Sequence, residues 1–551
     1  MNFFKKYALV FIIAGGSLAF VSYKVDDRYF EIAKNLDIFA TMFKELNALY
    51  VDEINPNKAI RTGINAMLKD LDPYTNFYPE DDIEDYRTMS TGKYNGIGAS
   101  VIRLNGKRVI SMIYENSSAD KEGLKIGDEV VEINGIEIND KDSEQIGRLL
   151  KGQSGSKANL KVKRYGESKM LSFQVERGVV KTPNVPHSGM INERVGYIFL
   201  NEFSASAANE VKKAFMDLKD EGMQELVLDL RGNPGGLLNM AIEISNFFIE
   251  KGSLVVETKG KVAEWNTKYY GRDKPLDTKI PIAVLISSSS ASASEIVSGT
   301  IQDYDRGVII GQRSFGKGLV QTTRPLSFNT QMKITTAKYY IPSGRCIQAI
   351  DYSNRNEDGS VGKVPDSLKT AFTTANGRVF YDGGGVEPDI YTKSSEVSPI
   401  MRALLKEGKV FDFATKYFYE NPKASVDGKF TLSDAGYQKF IGWLNAGDFN
   451  YKTKSEIDLE KFEIAAKSEN LTESIKSNLA SIREAVEKSK QADLITFKNQ
   501  IIRQLEDEIV IRYHYTNAAK FMSFESDVEV QQAISVFKDK LRYNKLLSGV
   551  K

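Results

Sequence analysis

Residues 281–297, Pro-Ile-Ala-Val-Leu-Ile-Ser-Ser-Ser-Ser-Ala-Ser-Ala-Ser-Glu-Ile-Val, read as a buried strand, a polar turn and the opening of a helix. Within them Ser292 and Glu295 have the Ser-x-x-Glu spacing of a capping box, in which the hydroxyl accepts an amide of the first helical turn. A hydroxyl at a helix N-terminus also sits where the dipole and unpaired amides stabilise developing negative charge, which suits a nucleophile. The two roles share one geometry, and the local sequence leaves both open.

Two further stretches offer groups that such chemistry would need. Gly311-Gln312-Arg313-Ser314-Phe315-Gly316-Lys317-Gly318 follows a strand and satisfies most of the phosphate-loop pattern. Its next residue is Gly318 rather than the Ser or Thr that would hold magnesium, and Leu319-Val320-Gln321-Thr322-Thr323 reads as extended rather than helical, which argues against a nucleotide. Residues 226–238, Leu-Val-Leu-Asp-Leu-Arg-Gly-Asn-Pro-Gly-Gly-Leu-Leu, form a strand, a glycine-rich loop and a helix opening. Such a loop is either a tight turn or a place where glycine lets amides approach an oxyanion closely.

Composition narrows the choice of base. The 551 residues include two His and one Cys. An intrachain disulfide is therefore impossible, and a zinc site of His and Cys is nearly so. His187 lies between Pro186 and Ser188 in a turn-like stretch and His514 far along a helical tail, so a hydrolase built on this chain takes its general base from another residue type. With 74 Lys and Arg against 73 Asp and Glu, the net charge of +1 gives no basic excess for a nucleic acid. The length corresponds to about three or four domains.

The elements that must position these residues follow from the patterning. Lys5 and Lys6, an apolar run from Tyr7 to Tyr23 and the charged residues after it resemble a secretion signal or signal anchor in residues 1–25, which predicts export, with cleavage and membrane retention both open. Ile32, Leu36, Phe39, Phe43, Leu46 and Leu49 recur at helical spacing and predict a helical region over 26–90. Short β-rich runs occupy 91–176. Strands at Val195–Leu200, Glu225–Leu230, Ile282–Ser287 and Gly307–Ile310 alternate with helical patterns, predicting an α/β layer fold over 177–397 with a polar surface loop between Asp351 and Gly377. Residues 398–551 read as helical and charge-rich, longer than such a core requires, and available for a homo-oligomer contact or an adaptor.

Tyr94-Asn95-Gly96-Ile97-Gly98-Ala99 and the run from Gly123 to Gly135, with Gly-Leu-Lys-Ile-Gly-Asp-Glu-Val-Val in it, resemble a PDZ domain. The resemblance implies that Gly96, Ile97, Gly98 and Ala99 receive the carboxylate of a polypeptide C-terminus with an apolar last residue, pairing it at a strand edge. Ile97 and Ile102 are candidate pocket residues.

The order of that module, Asp-Leu-Arg-Gly-Asn-Pro-Gly-Gly, Ser-Ala-Ser-Glu, Phe-Gly-Lys-Gly with Gln321 beyond it, and Gly383-Gly384-Gly385-Val386-Glu387-Pro388-Asp389 is similar to the carboxyl-terminal processing (tail-specific) proteases. The resemblance spans roughly residues 30–392. It implies a ClpP/crotonase-like α/β protease core with an inserted PDZ domain, Ser292 as nucleophile, Lys317 as base, Gln321 orienting the lysine, and Ala293 with Gly235 or Gly236 as the oxyanion hole. Ser290 and Ser294 are set aside on that alignment alone. No metal and no cofactor are expected, and the N-terminal segment makes the expected location the periplasm, with anchoring to the inner membrane open.

An ammonium cannot take a proton, so Lys317 would have to fall from about 10.4 towards 7 or 8, roughly 4 kcal/mol against the charged form. Burial against Phe315 is the expected source, and neutral Gln321 can bond the amine without restoring its charge. Asp303, 11 residues after Ser292, is expected to be structural. The reading is an exported Ser-Lys endopeptidase that selects substrates by their C-termini; the alternative is a catalytically silent peptide-binding scaffold.

Overall fold

The computed structural model describes residues 28–549, apart from 81–82, 84–90, 357–359, 394–396, 423, 425, 427–429, 448 and 516–523. The expected signal or anchor lies outside them. Among the described residues, no helix is long and apolar enough to cross a membrane.

The described residues up to Phe77 form one compact unit and those from Tyr78 onward a second. In the first, residues 28–49 are helical, and a second helix, Pro56–Lys69, starts where Asn55 accepts the Lys58 N–H at 3.0 Å and Pro56 fills a first-turn position that needs no donor.

The second unit is organised on a six-stranded sheet whose spatial order is its chain order. The strands are β1 (His187–Met190), β2 (Val195–Phe199), β3 (Glu225–Asp229), β4 (Ile282–Ile286), β5 (Val308–Gly311) and β6 (Ile390–Tyr391), parallel except for β1 against β2. Every residue of β3 and β4 is buried, as in parallel strands covered on both faces. Because side chains alternate across a strand, Ile198, Leu226, Leu228, Val284 and Ile286 face α1 (Ala207–Asp220), α2 (Leu238–Asn246) and α3 (Ala293–Asp303). Tyr197, Val227, Ala283, Leu285 and Ile310 line the other face.

That second face is closed by the end of the chain. α4 (Val528–Lys538) buries Val530, Ala533, Val536 and Phe537 on it, and α5 (Lys540–Leu547) follows, with the Ile282 N–H donating to the Tyr543 hydroxyl at 3.0 Å. Each large apolar side chain buried there is worth roughly 1.5–3 kcal/mol. Part of the helical C-terminal region is thus a layer of the α/β core.

Beside the sheet, Leu254–Gly260, Thr267–Tyr270, Leu319–Pro325 and Gln331–Tyr340 form an antiparallel layer. The segment expected as a plain loop after Asp351 contains strands instead: Ile350–Arg355 pairs with Val361–Lys363, and Ala371–Thr373 with Val379–Tyr381. These short ribbons are half-buried at most, so their sequence carries no apolar alternation to announce them.

Residues 93–181 form a separate β-rich body. Ala99–Leu104 lies at one edge of its sheet, paired on one side with Lys107–Ile113, and the helix Ser143–Leu150 begins at a capping box of Asp142 and Gln145. The remaining helices, from Pro399–Lys406 to Lys498–His514, share a core of Leu404, Phe413, Phe440, Ile501 and Leu505. They meet the β-rich body where Phe411 enters its core and Lys125 Nζ donates to the Tyr515 hydroxyl at 2.8 Å. The charge-dense stretch carries exposed ion pairs such as Lys452 with Glu460 and Lys488 with Glu484, worth little individually.

Candidate active site

β4 delivers the chain into the serine-rich turn, where most hydroxyls are committed to structure. The Ser290 Oγ accepts the Ser287 N–H at 2.9 Å and donates to the Leu230 carbonyl at 2.7 Å; the Ser294 Oγ donates to the Asn233 carbonyl at 3.0 Å. Both are fully buried. These bonds tie the turn to the loop after β3, and they give a physical reason for setting Ser290 and Ser294 aside.

Ser292 stands apart. It is half-buried at the head of α3 with φ +56° and ψ −112°, away from the extended conformation usual at an N-cap. A positive φ at a non-glycine residue is strain that the surroundings must impose. They do so through its main chain: the Ser292 N–H donates to Glu295 Oε2 at 2.8 Å, and the Ser292 carbonyl accepts the Tyr339 hydroxyl at 3.0 Å. Ala293 takes the first helical position, where the amide has no intrahelical acceptor.

Glu295 does more than cap. Its Oε1 accepts the Gly316 N–H at 2.7 Å and the Ser314 hydroxyl, and its Oε2 accepts the Lys317 N–H at 2.9 Å alongside that of Ser292. One fully buried carboxylate therefore fastens the serine turn to the lysine loop. Burial pushes its carboxyl above the ordinary range, opposed by those donors. The same bonds dispose of the phosphate-loop reading, since the amides that would cradle a phosphate are spent on a carboxylate and the Gly318 N–H on Gln348 Oε1 at 2.7 Å. Glu295 was seen in the sequence only as a cap, and Tyr339 was missed; Ser-x-x-Glu was a signal for the first, and nothing local marks the second.

The Lys317 loop is propped from behind by the Gly383–Asp389 motif. The Ser314 N–H donates to the Val386 carbonyl at 3.0 Å and the Val386 N–H to the Ser314 Oγ at 2.6 Å, while Asp389 accepts the Ile309 N–H at 2.7 Å. Lys317 is half-buried. Phe315 is 44% exposed, so the desolvation expected from it is reduced. Gln321 is half-buried on the strand Leu319–Pro325 and donates to Thr335 Oγ1 at 3.2 Å. Asp303 closes α3 in a buried pair with Arg345 at 2.9 Å, a structural position.

The glycine loop lies against the serine. A Cβ on Gly235, whose φ is +101°, would come within 2.9 Å of both the Ser292 Cβ and the Ala293 nitrogen and within 2.7 Å of the Ala291 carbonyl. The Gly235 N–H donates to Asn233 Oδ1 at 2.8 Å. Phe203 bridges the loop by donating to the Gly235 carbonyl and accepting the Leu237 N–H, a pairing that leaves the Gly236 amide out.

In the β-rich body, a cleft of about 300 Å³ opens between the edge strand Ala99–Leu104 and the helix Ser143–Leu150, lined by Ile97, Ala99, Val101, Ile146 and Leu150 with Lys151 at its end. Gly98 has φ +81° and a Cβ there would strike Ser117, so the turn before the edge strand needs glycine. Gly96 pairs with Lys151 at the end of the cleft. Ile102 is exposed and outside the cleft, correcting its assignment as a pocket residue. Among the described residues no cluster of metal-ligating side chains occurs.

Comparison with known proteins agrees with this layout. Residues 194–354 match the family described as "Peptidase family S41", residues 109–164 "PDZ domain", and residues 400–537 "Probable PDZ-protease, C-terminal helical domain". A "Carboxy-terminal-processing protease" of Bartonella bacilliformis is 34% identical over 322 residues, 58% of this chain and 73% of that one. A "Probable CtpA-like serine protease" of Staphylococcus aureus is 32% identical over 316 residues, 57% of this chain and 62% of that one. The solved "Photosystem II D1 C-terminal processing protease" is 23% identical, covering 65% of this chain and 93% of that one at a TM-score of 0.35.

Proposed function

The chain belongs to the carboxy-terminal-processing serine proteases of peptidase family S41, and from that premise we propose that it cleaves polypeptides by acyl transfer on Ser292 with Lys317 as the base. The observation that carries this reading is the single carboxylate bonded to the amides of both residues, which fixes nucleophile and base in one frame. A neutral Lys317 amine removes the hydroxyl proton as the Ser292 Oγ attacks the scissile carbonyl, and the ammonium then protonates the leaving amine. Water, deprotonated by the same lysine, releases the acyl group. Gln321 orients the amine.

The charge on the tetrahedral oxygen is met by the Ala293 N–H and by the glycine loop. Gly236 is the favoured second donor, because the Gly235 amide is engaged by Asn233. In the PDZ domain, a substrate C-terminus adds to the edge strand Ala99–Leu104, its carboxylate received by the Gly96–Ala99 turn and its last side chain by the apolar cleft. Lys5, Lys6 and the apolar run 7–23 support export to the periplasm, with that segment as signal or inner-membrane anchor.

Ser292→Ala tests the assignment: degradation of an unfolded substrate should vanish while binding of a C-terminal peptide persists. A variant that degrades as fast as the parent would refute it.

A further inference from the structure

We propose that Asp527 and Glu529, at the start of α4, are positioning residues for the oxyanion loop, so that the protease is competent only when α4 is docked on the sheet. The inference rests on the reading of Ser292 and the glycine loop given above. Arg231 stands four residues before Gly235 in that loop, with its side chain 23% exposed.

One side of its guanidinium is held locally: Nε donates to both Asp229 oxygens at 3.0 Å and Nη2 to Asp229 Oδ2 at 2.6 Å, and Asp229 is itself fixed by the Tyr197 hydroxyl at 2.7 Å. The other side is taken from 296 residues downstream. Nη2 and Nη1 donate to the two oxygens of Asp527 at 2.9 and 3.0 Å, and Nη1 also donates to Glu529 Oε2 at 3.1 Å. This is the bidentate geometry at which arginine fixes direction as well as charge.

The far end of the clamp is rigid. Asp527 caps α4 by accepting the Val530 N–H at 3.1 Å, Glu529 Oε1 accepts the Thr392 hydroxyl at 2.7 Å just beyond β6, and α4 is fixed to the sheet by its buried side chains. The near end leads into the loop whose Asn233 carbonyl receives the Ala291 N–H and the Ser294 hydroxyl, the bonds that place the loop against the nucleophile turn. Three carboxylates thus surround one guanidinium, with Arg503 3.5 Å from Asp527 as a further cation. Without the α4 carboxylates Arg231 keeps only Asp229, a partner two residues away that cannot set the loop's direction relative to the sheet's covered face.

The test uses the full chain with Asp527→Asn and Glu529→Gln together, and Arg231→Lys, which keeps charge but loses the fork, in case the first fails to fold. The readouts are kcat and KM on a short peptide, affinity for a peptide aldehyde whose adduct with serine needs the oxyanion hole, and C-terminal peptide binding to the PDZ domain. The expected result is a fall of about tenfold or more in kcat and in aldehyde affinity together, as for a weakened oxyanion donor, with KM and peptide binding within about twofold. An unchanged kcat, or one that falls only with the folded fraction, overturns the proposal. Ser292→Ala in the same assay separates the two ideas: if it still cleaves, the reading of the site has failed rather than the clamp.

Discussion

The amides of Ser292 and Lys317 converge on one oxygen, Oε2 of Glu295, at 2.8 and 2.9 Å. Two residues 25 positions apart are thereby held by main-chain bonds to a single side chain. Glu295→Gln should keep the shape and turn an amide NH2 towards N–H donors. Misplacement on that scale costs kcat about 10²-fold, and the unsatisfied donors lower stability by about 1–3 kcal/mol. Steady-state kinetics beside urea unfolding measure both, and a kcat within threefold of the parent would show the staple to be dispensable.

The same carboxyl sets a pH dependence. Burial holds it above the ordinary value of about 4.3, so its protonated form favours the folded chain, an effect complete below that value and lost as pH rises through the folded-state value. The staple needs the carboxylate. Protonation of the Lys317 amine and of Glu295 should therefore both lower activity as pH falls, making the acid limb of kcat steeper than a single proton allows while the chain remains folded. Parallel pH–rate and circular-dichroism curves check it, and coincident loss of structure and rate would count against it.

Lys317→Arg keeps the positive charge and most of the stem, but a guanidinium is never deprotonated in a protein. It should be as inactive as Lys317→Ala. Cleavage by the arginine variant above that of the alanine variant would point to an electrostatic role instead of proton transfer.

Gly235→Ala places a methyl group within 2.9 Å of the Ser292 Cβ and the Ala293 nitrogen at a φ of +101°. Both strain and contact oppose it, so a loss of about 1–3 kcal/mol in stability and of nearly all activity is expected. Denaturant unfolding and an active-site probe read the two effects separately.

Asp303 and Arg345 are both about 1% exposed and pair at 2.9 Å, with Arg345 also donating to Gln302 Oε1. Removing the carboxylate leaves a buried guanidinium short of its counter-charge. Asp303→Ala should cost about 3–5 kcal/mol, measured by denaturant titration.

What could be read from the sequence follows the physics of each element. β2 to β5 were legible because strands covered on both faces must be apolar throughout, and Val195–Phe199 or Ile282–Ile286 can be little else. The half-buried ribbons after Asp351 were not, because neither face is apolar enough to leave a period. At the site, Ser292 was ambiguous by itself and became specific only through motif order. The second duty of Glu295 was hidden because its partners at Ser314, Gly316 and Lys317 arrive from another strand's loop, and local spacing records only the cap. The apolar spacing of Val530, Ala533, Val536 and Phe537 was present in the helical tail, but nothing local told which surface those side chains would meet.

The closing of the sheet's second face by α4 and α5 also orders events in time. A ribosome reads those helices after all six strands of the sheet, so a nascent chain exposes the face formed by Tyr197, Val227, Ala283, Leu285 and Ile310 until residues 528–547 have been made. Through that interval the sheet presents a contiguous apolar surface, the kind on which unfolded chains associate.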